Sequence, residues 1–183
     1  MSARAFLRAT TRQDHEQVDR IYARFDLTTV AGYRCFLSAI ATAHLPVEAA
    51  LDRWDAHAVL PDWTGRRRAE ALRIDLIELG AATSIGLHAP DFPSVPALLG
   101  GLYVLEGSRL GGAMLRRSLP PGSPARFLGA AAEPGSWRML LDRMDWALQA
   151  PHDVEIASAA ARAVFRVFAA AGDEICSRSA DRD

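Results

Sequence analysis

The chain has 183 residues, 50% hydrophobic and 23% charged, the balance of a globular domain rather than of a disordered segment. Its formal net charge of −1, with all 21 basic residues arginine, gives no long-range pull toward nucleic acid or an anionic membrane. Cys35 and Cys176 are too few for a disulfide framework, and the longest apolar run, Pro96 to Leu105, falls well short of the roughly twenty residues that span a bilayer. The first residues, Met1 to Arg8, lack the apolar core of a secretory signal, so a cytoplasmic protein bound to neither membrane nor nucleic acid is expected.

Helical spacing recurs along the chain and strand-like alternation does not, which predicts an all-α fold of about seven helices. The expected organisation is one domain over 1–183 with a short polar tail after about residue 176. In the first helix Leu7, Thr11, His15, Val18, Tyr22 and Phe25 follow at steps of three or four and share one face. A second helix opens near Thr28 or Thr29 and carries Tyr33, Phe36, Leu37 and Ile40. Pro46 suits the start of a third, with Val47, Ala50, Leu51 and Trp54 facing inward. After the break at Pro61-Asp62 a fourth helix runs from about Thr64 to Leu79 and stops at Gly80. Residues 84–93 form a loop, and a long fifth helix spans roughly Val95 to Leu119. Pro120 to Pro124 makes a turn. Two more helices, about Gly135 to Gln149 and Asp153 to Ile175, complete the chain.

The fifth helix carries Gly100, Gly101, Gly107, Gly111 and Gly112 within thirteen residues. Each glycine weakens a helix by about 1 kcal/mol relative to alanine, so something must favour them. Three explanations stand: the segment is a loop, it is a close helix–helix contact, or it passes over a flat ligand that a Cβ would strike. Gly107 and Gly111, four apart, share a face.

His15 sits on an apolar helix face, where a lone histidine is most often structural. Arg8 and Arg12 precede it by seven and three residues, and Asp19 follows by four, within reach of the ring. A carboxylate on one ring nitrogen leaves the other free for a metal. Two arginines beside such a ligand suit a partner bearing carboxylates. His44, His57, His88 and His152 are scattered and read as surface or structural residues. No Glu-x-x-His pair, phosphate loop, dinucleotide fingerprint or G-x-S-x-G motif is present.

Leu7-Arg8-x-x-Thr11-x-x-x-His15, then Asp26-Leu27, Tyr33 and Phe36-Leu37, resembles the opening of the heme oxygenases. The segment Leu102-Tyr-Val-Leu-Glu-Gly-Ser-Arg-Leu-Gly-Gly112 resembles their distal helix, in the form of the bacterial branch associated with bacteriophytochromes. Trp137, Trp146 and Phe165-x-x-Phe168 also fit, so the resemblance runs in order along nearly the whole chain. It implies a single-domain heme oxygenase-like fold with heme between the first (proximal) helix and the glycine-rich distal one. His15 falls on the iron ligand and Asp19 on the acidic residue that bonds it. Arg8 and Arg12 fall near the propionates, and Tyr103 and Arg143 lie close to other propionate-side positions. Gly107, Gly111 and Gly112 fall on the distal stretch beside heme, with Gly107, Ser108 and Gly111 as its catalytic wall. Ser108 stands where the animal enzymes carry an aspartate; it can donate to a water but cannot hold negative charge.

The implied reaction uses heme as both cofactor and substrate. O2 and electrons from a ferredoxin or a flavin reductase open the ring at a meso carbon, yielding biliverdin, iron and carbon monoxide. A bacteriophytochrome is an implied acceptor of the biliverdin. A non-catalytic heme carrier or sensor on the same helices is the alternative.

Overall fold

The computed structural model describes residues 2–81, 86–130 and 133–180, and among them every regular element is an α-helix. The elements are α1 (Ala3–Tyr22), α2 (Val30–Arg53), α3 (Ala56–Val59), α4 (Trp63–Arg66), α5 (Ala69–Glu78), α6 (Val95–Arg116), α7 (Arg126–Gly129), α8 (Ser136–Ala147) and α9 (Pro151–Ala180). No helix among the described residues is long and apolar enough to cross a membrane.

The long α9 is the axis of the bundle, and α1, α2 and α6 all pack along it. Helix α1 runs beside α9 in the same direction. Thr10 shares a 2.7 Å hydrogen bond with Ser158, Arg162 donates to Asp14 at 3.0 Å, and the Tyr22 hydroxyl donates to the Phe168 carbonyl at 3.2 Å. Two glycines permit the close crossings. A Cβ on Gly172 would stand 2.5 Å from Ile21, and one on Gly100 would stand 2.1 Å from the carbonyl oxygen of Ala157. Leu7, Leu37, Leu51, Leu99, Leu102 and Leu105 fill the space between. Such fully buried leucines each contribute roughly 1.5–3 kcal/mol by leaving water.

The helix starts follow local chemistry. Ser2, Thr29 and Ser94 cap α1, α2 and α6 by accepting from the backbone N–H three residues on. Helix α5 is capped from a distance: the Glu48 carboxylate accepts from the N–H groups of Arg68 at 2.8 Å and Ala69 at 3.1 Å. A buried carboxylate there meets the positive end of the helix dipole.

Several expected boundaries move. Helices two and three are one helix, because α2 continues through Pro46. Proline removes the N–H that would bond the carbonyl four residues back, and here Leu87 N–H donates to that carbonyl, Thr42 O, at 3.0 Å. Trp54 is the exposed C-cap of α2 rather than an inward residue. The expected helix from Thr64 to Leu79 is divided into α4 and α5 by extended backbone at Arg67. Helix α6 stops at Arg116, the short α7 was not anticipated, and α9 runs on to Ala180 where a tail was expected after 176. Phe25 lies beyond the end of α1, although it is buried. Of the loop expected at 84–93, residues 84 and 85 lie outside the described residues, and 86–93 are non-helical.

Candidate functional site

Helices α1 and α6 flank α9 without packing extensively on each other, and each turns an unusual surface outward. On α1 that surface is His15. Its Nδ1 lies 3.0 Å from Asp19 Oδ2, one helical turn on, while the ring packs edge-on against Phe165 of α9 with centroids 5.6 Å apart. The side chain is 59% exposed, and Nε2 has no hydrogen-bond partner among the described residues. The ring is therefore steered from one nitrogen and one face and open at the other nitrogen. Arg12 lies outward and 3.9 Å from Glu16, a loose surface pair.

On α6 the outward surface is a stripe at helical spacing: Tyr103, Gly107, Leu110, Gly111 and Met114. Leu110 is 61% and Met114 74% exposed, although such side chains normally seek cover. The five glycines of this helix now separate by cause. A Cβ on Gly101 would stand 2.6 Å from Phe92, and one on Gly112 would stand 2.9 Å from the Leu128 carbonyl oxygen, so these two, with Gly100, are packing glycines. Gly107 and Gly111 are not. A Cβ on Gly107 would touch only Trp137, at 3.6 Å, and one on Gly111 would meet nothing within 4 Å. Protein packing thus explains three glycines and leaves the two on the stripe without a reason among the described residues.

The stripe approaches α1 at Tyr103. Burial pushes the Tyr103 hydroxyl pKa up, opposed by the positive charges of Arg4 and Arg8. The same ring lies 5.7 Å from that of Trp137. Arg8 and Tyr103 therefore share a neighbourhood, and Arg4, which the sequence pattern did not single out, belongs with them. Arg143 is engaged elsewhere. It donates to the Val59 carbonyl at 3.0 Å and lies over the Trp146 ring at 4.6 Å, bordering a shallow depression with Leu60 and Met139.

Ser108 borders the stripe, and its hydroxyl is committed. It donates to the Leu105 carbonyl at 2.7 Å and accepts from Arg68 Nη2 at 2.7 Å, while that same nitrogen donates to the Leu105 carbonyl, also at 2.7 Å. In this geometry its one proton is directed at the Leu105 carbonyl. Arg68 is itself buried, with its guanidinium 4.5 Å from the Phe127 ring centre.

Behind Ser108 lies a buried polar network that the motifs did not reveal. His44 Nε2 lies 3.0 Å from Glu48 Oε2. Burial first of all holds the His44 pKa below its ordinary value, so the contact is a neutral imidazole donating to a carboxylate rather than an ion pair. Burial would raise the pKa of Glu48, but the bonds from His44 and from the Arg68 and Ala69 N–H groups outweigh it and lower it. Next to this pair, Glu106 accepts from Arg66 at 3.0 Å and Arg109 at 2.8 Å, and Arg109 also donates to the Arg66 carbonyl. His44 is thus structural, while His57, His88 and His152 are exposed.

No family model matches the chain. A curated heme oxygenase of Xanthomonas campestris pv. campestris (strain 8004) is 35% identical to it over 127 residues, which are 66% of this chain and 76% of that protein. The chain belongs to the heme oxygenase family. Two solved heme oxygenases share its fold at lower identity. The NO- and CO-bound enzyme from Neisseria meningitidis superposes with a TM-score of 0.80 at 22% identity, covering 96% of this chain and 92% of that one. The heme oxygenase from Leptospira interrogans gives 0.71 at 20% identity, covering 95% and 100%. The all-α heme oxygenase fold expected from the sequence is therefore the fold of the molecule.

Proposed function

We propose that this heme oxygenase holds one heme between α1 and α6, with His15 Nε2 as the protein ligand to iron. The observation that carries the reading is the pairing of an open imidazole, steered by Asp19, with a helix whose two unexplained glycines sit in an exposed apolar stripe. A flat macrocycle needs such a surface: Gly107 and Gly111 let backbone come close, while Leu110 and Met114 supply apolar cover. These residues fit heme. Arg8, with Arg4 beside it, supports binding of the propionates near Tyr103, and Arg12 stands one turn further along α1.

Bound heme supplies the redox chemistry and is itself the substrate, oxidised by O2 and donated electrons to biliverdin, iron and carbon monoxide. The chain's own contribution is positional. The Asp19 carboxylate, 3.0 Å from His15 Nδ1, draws a proton to that nitrogen, favouring the tautomer that frees Nε2 and orienting the ring. His15 offers an imidazole nitrogen rather than a thiolate. The α6 face presents no titratable side chain at Gly107 or Gly111, so the polar influence there comes from backbone and from Ser108. A ferredoxin or a flavin reductase fits as electron donor, a bacteriophytochrome fits as biliverdin acceptor, and a cytoplasmic location suits both.

Two spectra test the reading. Hemin added to the protein should give a Soret band whose ferric signals carry an axial imidazole, and reductant under O2 should replace that band with biliverdin absorption. No Soret band would end the heme reading; stable heme without biliverdin would make the chain a carrier.

A further inference from the structure

The buried guanidinium behind Ser108 has no counterpart in the resemblance that assigns Ser108 to the distal wall, and its geometry is unusually closed. Arg68 Nη2, Ser108 Oγ and the Leu105 carbonyl form a triangle of three hydrogen bonds, each 2.7 Å. A guanidinium is planar and rigid, and this one packs over the Phe127 ring at 4.5 Å. The hydroxyl proton is directed at Leu105, so what Ser108 can turn toward the α6 stripe is a lone pair, already polarised by a cation.

We infer that Arg68 is a positioning residue for the distal face: it locks the Ser108 rotamer and sets a fixed positive charge one side chain behind the stripe. The inference rests on heme lying against Gly107 and Gly111. Behind the α6 stripe this chain places a hydroxyl backed by a guanidinium.

The surroundings retain that charge. Glu48 from α2 caps the backbone of Arg68, and Glu106 of α6 lies near enough to favour the charged guanidinium. Arg109 of α6 opposes it, and neutral His44 of α2 lies close enough to interact with it. Burial, and after it the Arg109 charge, brings the Arg68 pKa down to about 9, which leaves the guanidinium charged at neutral pH.

The test is a pH titration of the ferric heme complex of the full chain, following its high-spin to low-spin spectral conversion. The variants are Arg68→Met, Arg68→Lys, Ser108→Ala and the double variants. A unit charge roughly 10 Å from a titrating site, at an effective dielectric of about 20, moves a pKa by about one unit. Arg68→Met should therefore raise the conversion midpoint by about one pH unit, and Arg68→Lys, which keeps the charge, by less than half of that. The shift caused by Ser108→Ala should also change once Arg68 is replaced, because the hydroxyl is then no longer locked. A merely structural arginine would lower the unfolding temperature and leave the midpoint alone. An Arg68→Met protein that binds heme with the wild-type midpoint overturns the inference and leaves the heme reading standing. Should Arg68→Met not fold, Arg68→Lys decides: strictly additive shifts with Ser108→Ala overturn the proposal. Wild-type protein that gives no Soret band would end the heme reading and this inference with it.

Discussion

Replacing each α6 glycine with alanine gives results of opposite sign at positions only a few residues apart. At Gly111 the new methyl meets nothing within 4 Å, so the heme-free protein should gain the difference in helix propensity, about 1 kcal/mol. For a domain of this size that raises Tm by about 2–4 °C. At Gly107 the methyl makes an ordinary contact with Trp137 at 3.6 Å, and a similar gain is expected. At Gly100 the methyl would stand 2.1 Å from the Ala157 carbonyl, a backbone atom that cannot step aside without parting α6 from α9. Overpacking of that kind costs typically 1–3 kcal/mol or more, so Gly100→Ala should unfold at a clearly lower temperature.

Circular dichroism melts of the heme-free proteins measure these signs, and hemin titration supplies the second half of the argument. If Gly107 and Gly111 are bare because heme lies against them, the alanine variants that are more stable without heme should bind it more weakly or form less biliverdin. A stabilised Gly111→Ala protein with wild-type heme affinity and turnover would refute the ligand explanation for the stripe. A destabilised one would refute the packing argument itself.

Other perturbations probe other parts of the molecule. His15→Ala should remove the imidazole signature from the electron paramagnetic resonance of the ferric complex; its survival would assign the ligand elsewhere. Asp19→Ala should change stability by less than about 1 kcal/mol, since the pair is exposed, yet alter the iron–imidazole stretch in resonance Raman spectra. Glu106→Ala strips the carboxylate from buried Arg66 and Arg109 and should cost about 3–5 kcal/mol in urea unfolding; a near-neutral result would show that the pairs are not needed for the fold. Stability should also fall in acid. His44 has a folded pKa held below 6.5, so the unfolded chain binds a proton first and stability declines as pH drops below 6.5. Glu48, whose folded pKa is also lowered, adds a further loss below about 4.5. His44→Gln should flatten the upper part of that decline, and an unchanged profile from pH 7 to 5 would contradict it.

The elements legible from sequence were those whose signals are local. The three-and-four spacing of α1 picks out Leu7, Thr11 and Tyr22, which are buried, while His15 of the same run is 59% exposed. His15 with Asp19 is an i,i+4 pair, so its geometry follows once the helix is granted. The glycines of α6 were legible as an anomaly but not as a division of labour, because Gly100 and Gly112 answer to Ala157 and Leu128, residues far away in sequence.

The polar network was hidden for one physical reason that begins at Pro46. Reading a helix boundary there separates His44 from Glu48, although the two are one turn apart on a continuous α2. What keeps the helix continuous is remote: Leu87 N–H bonds the carbonyl that Pro46 releases, and Gly86 packs on the proline ring, where a Cβ would stand 3.2 Å away. Once α2 is continuous, Glu48 reaches the start of α5 and caps it at Arg68, and the break between α4 and α5 follows. That break is what lets Arg66 and Arg68 enter the interior; in the unbroken helix expected from Thr64 to Leu79 they would have read as part of a solvated arginine run. Arg68 then meets Ser108. The path from a proline to Ser108 thus runs through long-range contacts, none of which has a periodicity that the sequence could display.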